Sequence, residues 1–258
     1  MNRIKQAFAS KTNLLNTYFT AGYPRLHDTL PLAEALAAAG ADILEIGMPF
    51  SDPLADGPVI QGSSSVALAN GMNLPVLFAQ LQGLRAALPD TPVLLMGYLN
   101  PVMQFGVEAF LQQAAAVGVD GLILPDLPFD EYEELYHPLF QQYGIKAVFL
   151  ITPQTSEARI RRLDALSDAF LYLVSGPGTT GGTTLPDAAV QQAYFERIAA
   201  LQLTNPRLIG FGIGDRAGFN RACAHADGAI IGSALIQALK DTDDAPVAAA
   251  RFVHSIRA

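Results

Sequence analysis

Two carboxylates near residue 50 have the types and spacing of an acid–base pair. Glu45 lies in the apolar run ILEIG, where every close neighbour is uncharged, and Asp56 comes later in a segment punctuated by proline and glycine. A strand glutamate and a loop aspartate that face one cavity with different solvation can hold one carboxyl protonated and the other ionised. The pair therefore predicts an acid–base enzyme.

Each carboxylate also has a structural interpretation. Glu45 could be half of a buried ion pair, but no Lys or Arg occurs between Arg25 and Arg85. Because an unpaired ionisable group is costly to bury, this favours a functional Glu45. Asp56 precedes a glycine, a common turn pattern, so its local sequence leaves turn and catalytic roles equally open. Asp52 is interpreted as a turn residue.

Composition limits the classes of protein to consider. The chain has 258 residues, 50% hydrophobic and 16% charged, with a mean hydropathy of +0.26, which suits one α/β barrel or two smaller domains. The net charge of −8 and the lack of a basic run argue against nucleic acid and anionic membrane as partners. No window approaches the roughly 18 apolar residues of a membrane helix.

Cysteine, histidine and the N-terminal segment predict a cytoplasmic protein with no metal. The single Cys223 excludes an internal disulfide framework and is compatible with a reducing compartment. The four histidines are scattered without the spacing of metal ligands. The first residues, MNRIKQAFASKTN, lack the apolar core of a signal peptide.

Short apolar runs alternate with segments of helical period along the whole chain. The predicted strands are Leu15–Thr20, Asp42–Gly47, Val93–Gly97, Gly121–Leu124, Ala147–Ile151, Phe170–Val174, Leu208–Phe211 and Gly228–Ile231. The predicted helices span about 28–39, 74–87, 107–117, 130–142, 156–166, 187–202 and 215–223, with a last one from 233 onward. Eight such repeats predict a closed (β/α)₈ TIM barrel. With no linker or composition break, residues 1–258 are interpreted as a single domain.

An open, doubly wound sheet is the alternative fold. It would normally place a glycine-rich fingerprint directly after the first strand, where this chain reads TAGYP. In a barrel, the chemistry sits on the loops at the C-terminal ends of the strands. Strand alternation puts Glu45 on the face opposite Leu44 and Ile46, so its side chain is expected to point into the barrel mouth.

Three later segments indicate a phosphate site. SGPGTTGGTT (175–184) comes after the sixth strand, GFGIG (210–214) ends the seventh, and GAIIGSA (228–234) ends the eighth. Glycines let backbone N–H groups approach an anion, and the loops after strands 7 and 8 are the usual phosphate site of a barrel. The first segment has no Lys or Arg, so binding is expected to rest on backbone dipoles and hydroxyls.

Apolar and aromatic residues lie in or just after several strands, among them Tyr18, Ile123, Ile151 and Tyr172. Most such residues are ordinary core. Beside two carboxylates, however, they fit a flat apolar substrate group better than a free sugar.

These motifs together resemble the α subunit family of tryptophan synthase. The main match is LEIGMPFSDPLADGPVIQ (44–61), supported by FTAGYP (19–24), MGYLNP (96–101), LPDLP (124–128), GFGI (210–213) and ADGAIIGSA (226–234). They stand in the family's order and spacing, and the resemblance covers essentially the whole chain. It implies a TIM barrel that cleaves indole-3-glycerol phosphate into indole and glyceraldehyde 3-phosphate.

The resemblance also implies roles for single residues. Glu45 would be the general acid–base group and Asp56 would accept a hydrogen bond from the indole N–H. The indole pocket would include Tyr18, Ile123, Ile151 and Tyr172, and the phosphate contacts would be Gly181, Gly212, Gly232 and Ser233. Thr180 would close over the substrate. The sequence departs from the family most at 176–179, where GPGT replaces part of the usual Ser-x-x-Gly-Val-Thr-Gly pattern.

By resemblance, the partner is the β subunit in an αββα complex, which would dock on the loops 52–58 and 100–106. Pyridoxal phosphate would belong to that partner, and this chain would need no cofactor. Three alternatives stay open: a barrel isomerase of a phosphorylated sugar, a non-catalytic partner that activates a β subunit, and a stand-alone lyase that releases free indole.

Overall fold

A closed barrel of parallel strands forms the centre of the molecule. The computed structural model describes residues 2–174, 188–210 and 212–258. Within them, neighbouring strands pair in parallel, and the first strand pairs with both the second and the last. The strands are β1 (Leu14–Thr20), β2 (Ile43–Gly47), β3 (Val93–Met96), β4 (Gly121–Ile123), β5 (Lys146–Ile151), β6 (Leu171–Val174), β7 (Arg207–Gly210) and β8 (Gly228–Ile231). The predicted (β/α)₈ barrel is confirmed.

Helices surround this barrel. They are α1 (Arg3–Ser10), α2 (Thr29–Ala38), α3 (Pro58–Ala69), α4 (Leu74–Gln80), α5 (Leu84–Ala87), α6 (Leu99–Phe105), α7 (Val107–Ala116), α8 (Phe129–Glu131), α9 (His137–Tyr143), α10 (Glu157–Leu166), α11 (Ala188–Ala200), α12 (Arg216–Cys223), α13 (Ser233–Ala238) and α14 (Ala245–Arg257). Short 3₁₀ turns at Leu26–Asp28 and Leu81–Gly83 and a π turn at Tyr132–Tyr136 join some of them. Side chains cap the N-termini of several helices. At α4, for example, Asn73 accepts a hydrogen bond from the N–H of Val76.

Three helices were not expected from the periodicity. α1 precedes the barrel, α3 comes after the segment that carries Asp56, and α6 replaces the predicted loop at 100–106. The loop prediction is wrong because a proline in the first turn of a helix loses no intrahelical bond. Pro58 begins α3 in this way, and Pro101 lies in the first turn of α6, where Asp126 accepts the N–H of Leu99 at 2.9 Å.

Buried aspartates tie the strands together at the N-terminal end of the barrel. Asp120 accepts hydrogen bonds from Arg3, Arg85 and the N–H of Val93, each at 2.9 Å. Asp42 accepts from the N–H of Leu15 at 2.9 Å and pairs with two basic side chains. These contacts lie at the end of the barrel opposite to Asp56 and the cavity described below. Within the described ranges, no helix has the length and apolar character needed to cross a membrane.

Candidate active site

Glu45 is the most deeply buried acid among the described residues of the barrel. It lies in β2, its neighbours Leu44 and Ile46 are buried, and its own exposed fraction is 0%. Its Oε1 accepts a hydrogen bond of 2.5 Å from Nδ2 of Asn16, while Oε2 has no hydrogen-bond partner among the described residues. Burial raises the pKa of Glu45 to about 8, and the Asn16 hydrogen bond lowers this pKa in part. Glu45 therefore holds its proton at neutral pH.

Asp56 is also buried, and its carboxylate accepts a hydrogen bond from a phenol. It lies after β2, just before α3 begins, and is 8% exposed. The Tyr98 hydroxyl donates to Asp56 Oδ2 at 2.9 Å and accepts the N–H of Ala55 at 3.0 Å. Burial, and secondarily the charge of Asp56, raises the pKa of Tyr98, so this phenol stays a donor. The two carboxylates thus differ little in exposure, and the donors differ in type: an amide bonds Glu45 and a phenol bonds Asp56.

Tyr18 links the surroundings of the two acids. It is the register partner of Glu45 in the β1–β2 pair. Its pKa is raised by burial and then by the charges of Asp56 and, more weakly, Glu45, so it lies near both. Thr20 is within 3.5 Å of the Tyr18 hydroxyl and bonds Ser63 at 2.7 Å. The Tyr18 phenol is therefore a neutral group near both acids.

Two glycines make room for the aromatic walls. A Cβ on Gly47 would lie 2.2 Å from the Tyr18 hydroxyl, and one on Gly210 would lie 2.3 Å from the Tyr172 hydroxyl. Any larger residue at these strand ends would displace the rings. Burial raises the pKa of Tyr172 as well, with smaller contributions from Glu45 and Asp56.

A cavity of about 230 Å³ opens beside Glu45. One side is apolar and aromatic, and the other is made by the loops after β7 and β8. Its lining consists of Tyr18, Glu45, Val59, Ile60, Met96, Tyr172, Gly212, Ile213, Gly214, Ile230, Gly232, Ser233, Ala234 and Gln237. A second, much smaller pocket holds Asp56 and Tyr98 and shares Tyr18 and Met96 with the first. The two acids thus line two adjoining pockets, and Tyr18 contributes to both.

The structure brings most of the predicted site residues together. Tyr18, Tyr172, Gly212, Gly232 and Ser233 line the cavity with Glu45. Two further predicted pocket residues, Ile123 and Ile151, are fully buried in β4 and β5 and are not part of this lining in the described structure. Thr180 and Gly181 lie outside the described residues. The roles that the resemblance implies for all of these site residues stay predictions.

Two polar contacts of the site were not predicted from the sequence. Asn16 was missed, although an asparagine in the middle of the apolar strand LLNTYFT is itself a signal of a buried polar contact. The role of Tyr98 was missed as well, because its hydrogen bond to Asp56 depends on how the β2 and β3 loops meet. In the described part of the chain, no three His, Cys, Asp or Glu side chains are grouped to hold a metal ion.

Comparison with known proteins gives one consistent result. A family model described as tryptophan synthase alpha chain matches residues 4–257. The tryptophan synthase alpha chain of Flavobacterium johnsoniae is 49% identical over 257 residues and covers 100% of both chains. That of Parabacteroides distasonis is 50% identical over 242 residues and covers 93% of each.

Solved structures agree with the sequence comparisons. A tryptophan synthase alpha chain from Legionella pneumophila superposes with a TM-score of 0.89 at 34% identity, covering 100% of this chain and 96% of that one. A chain of tryptophan synthase from M. tuberculosis in an aminoacrylate-bound form gives a TM-score of 0.86 at 28% identity, covering 99% and 98%.

Proposed function

Because the chain belongs to the tryptophan synthase alpha chain family, the lyases that cleave indole-3-glycerol phosphate in tryptophan biosynthesis, we propose that Glu45 is the acid–base group of this reaction and that Asp56 is its electrostatic partner. The observation that carries the proposal is a fully buried carboxyl, with its pKa raised to about 8, on the wall of the cavity. General acid–base groups work best when their pKa lies near the working pH.

The proposed reaction needs one proton transfer from Glu45 to the substrate and one from the substrate back to Glu45. Glu45 gives its proton to indole C3, which makes the ring a cation centred on N1. The resulting carboxylate then takes the proton of the hydroxyl on the adjacent glycerol carbon. The C–O bond becomes the C=O of glyceraldehyde 3-phosphate, and the electrons of the broken C–C bond return to the ring as neutral indole. Glu45 ends protonated, as it began.

Asp56 is proposed to accept the indole N–H and to stabilise the positive charge on N1. Its support is the hydrogen bond from Tyr98, which orients the carboxylate, and its place in the pocket that adjoins the Glu45 cavity. A fixed carboxylate in a site that excludes water stabilises such a charge far better than water does.

The remaining predicted residues are assigned as subsites by family resemblance. Tyr18, Tyr172, Ile123 and Ile151 are proposed for the indole end. Gly212, Gly232 and Ser233 are proposed for the phosphate end, a placement supported by the cavity lining after β7 and β8. Gly181 is proposed as a further phosphate contact and Thr180 as the residue that closes over the substrate.

The test is the substitution Glu45→Gln, which keeps shape and loses the titratable proton. We expect indole formation to fall at least about 10²-fold, the smaller effect of a general acid–base group, while substrate still binds. Indole release is measured at saturating indole-3-glycerol phosphate, and binding is measured by calorimetry. The matched control is Glu108→Gln, an exposed glutamate that bonds Tyr143. A folded Glu45→Gln protein with normal turnover would refute the proposal.

The family pairs with the tryptophan synthase β subunit. We propose that this chain docks on its partner through the segment 52–58 and the helix α6 at the barrel mouth. We further propose that it acts in the cytoplasm as one domain over 1–258, needs no cofactor of its own, and leaves pyridoxal phosphate to the β subunit. Indole assays with and without β subunit separate this complex from a stand-alone lyase, whose turnover would not rise, and from a non-catalytic partner, which would release no indole alone.

A further inference from the structure

The side-chain amide of Asn16 has an unusual environment. Asn16 lies in the middle of β1, is fully buried, and faces the barrel interior with Tyr18, two positions along the strand. Its Nδ2 donates to Glu45 Oε1 at 2.5 Å. Its Oδ1 has no hydrogen-bond partner among the described residues. The amide is therefore only half satisfied in the described structure, and its bond goes to the proposed acid.

A structural role explains this arrangement poorly. A buried acceptor left without a partner costs stability, and a leucine would fill nearly the same space without that cost. Barrel interiors are usually filled by branched apolar side chains. The amide is therefore expected to contribute to the chemistry of the group that it bonds, Glu45.

The bond distinguishes the two oxygens of the Glu45 carboxyl. An oxygen that faces an N–H donor is an acceptor, so a proton on Oε1 would oppose the Asn16 amide. The neutral carboxyl must then carry its proton on Oε2, for which the described residues offer no partner. Glu45 lines the cavity together with Tyr18 and Tyr172.

We propose that Asn16 is a positioning residue, which holds Glu45 by Oε1 and so makes Oε2 the oxygen that delivers and recovers the proton. The inference rests on the proposed function of Glu45 and adds a second role. An N–H aimed at a carboxylate stabilises its charged form, so Asn16 also opposes the effect of burial on acidity.

The other groups facing Glu45 do not supply this effect. In the described structure they are the phenols of Tyr18 on β1 and Tyr172 on β6, with Asp56 of the loop after β2 close to both phenols. Burial raises the pKa of each phenol, so neither becomes charged in the working range. The basic limb of the rate profile, where Glu45 loses its proton, should therefore respond to Asn16.

The experiment compares Asn16→Leu and Asn16→Asp with wild type in rate profiles from about pH 6 to pH 10, a range that brackets the basic limb. Loss of the donor should move the basic limb of kcat upward by about 0.5–1 pH unit in Asn16→Leu. Asn16→Asp should move it further, because a second carboxylate also repels the charge of Glu45. In Asn16→Leu, kcat should fall about 10- to 100-fold for lost orientation, with KM nearly unchanged.

The matched control is Thr17→Val, which removes a buried hydroxyl from the neighbouring position on the opposite face of β1. Its rate profile should stay at the wild-type position. Thermal unfolding is measured for all variants. If Asn16→Leu fails to fold, Asn16→Asp, which keeps the shape of the side chain, still tests whether the basic limb moves to higher pH.

The outcomes separate the role of Asn16 from that of Glu45. A basic limb that stays in place in a folded Asn16 variant, with kcat lowered only in step with stability, would overturn the role of Asn16. Full activity of Glu45→Gln would instead overturn the proposed function. Both proposals are supported if Glu45→Gln is inactive and the pH of the basic limb rises in the order wild type, Asn16→Leu, Asn16→Asp.

Discussion

At the scale of single residues, the acid–base role proposed for Glu45 depends on the same burial that costs the protein stability. A carboxyl buried at the barrel centre beside one amide keeps its proton far above the usual range, which makes it an acid at neutral pH. The same environment opposes folding once the pH is high enough to ionise the unfolded chain. The raised pKa that suits Glu45 for acid–base chemistry therefore lowers the stability of the folded protein.

This conflict predicts a pH-dependent gain in stability for Glu45→Gln. The glutamate ionises near pH 4.5 in the unfolded chain and near pH 8 in the folded one. Between these values the unfolded chain binds fewer protons, so raising the pH favours unfolding of the wild type. The variant has no such proton, and its advantage should grow across this interval, to at most on the order of 5 kcal/mol. Urea unfolding at about pH 5, 6.5 and 8 measures it. A constant difference across these pH values would contradict the raised pKa.

The hydrogen bond from Tyr98 gives a second test at this scale. Tyr98→Phe removes the hydroxyl that orients Asp56, so kcat/KM should fall roughly tenfold, the effect of one hydrogen bond to a charged group. Steady-state assays measure the change. Tyr143→Phe is the matched control, because its hydroxyl bonds Glu108 at the surface, 2.9 Å away. Equal activities of the two variants would show that Asp56 does not depend on Tyr98.

At the scale of elements, the site depends on the helices that begin soon after the strands. α3 begins two residues after Asp56, and α6 begins directly after Tyr98, so the groups around Asp56 are held by helix starts rather than by long loops. Because each of these helices has a proline in its first turn, the sequence pattern did not predict either of them. This arrangement leaves apolar side chains exposed at the barrel mouth. Leu54 is 85% exposed just before α3, and Met103 is 55% exposed on α6.

These side chains predict how the β subunit docks. Met103→Glu should raise the Kd for the β subunit about tenfold or more, because a charge replaces an apolar contact, and should leave indole release by the isolated chain unchanged. Titration of β subunit against indole formation measures both. Val247→Glu, at a 51% exposed position of α14, is the control. An equal loss of affinity in both variants would argue against α6 as the docking element.

At the scale of the whole molecule, the proposed active site and the network of buried aspartates lie at opposite ends of the barrel. The buried aspartates at the N-terminal end join strands and helices far apart in sequence, as Asp120 does with Arg3 and Arg85. In a barrel of this type the C-terminal end carries the reaction and the other end supports the fold.

The division predicts a purely structural effect for Asp120→Asn. Losing one charged acceptor should lower the free energy of unfolding by about 1–3 kcal/mol, with kcat and KM close to wild type. Chemical denaturation and indole assays measure the two effects. Asp90→Asn, at an exposed position, should change neither. A selective loss of turnover in Asp120→Asn would contradict the division.

The sequence by itself determined the barrel, the strand order and the burial of Glu45 in an apolar strand. Hydrophobic period and glycine-ended strands are local properties, and they predicted all eight strands to within one residue at each described end. The raised pKa of Glu45 could be predicted because an apolar strand with no nearby cation has to be buried in a sheet.

Only the tertiary structure decided which groups touch the two acids. Asn16 reaches Glu45 from another strand, and Tyr98 reaches Asp56 from another loop, over 29 and 42 positions of chain. Hydrogen bonds depend on tenths of an ångström and on side-chain direction, whereas period fixes only the face of an element. The closure of the barrel sets the distances of these hydrogen bonds, so a local sequence pattern cannot predict them.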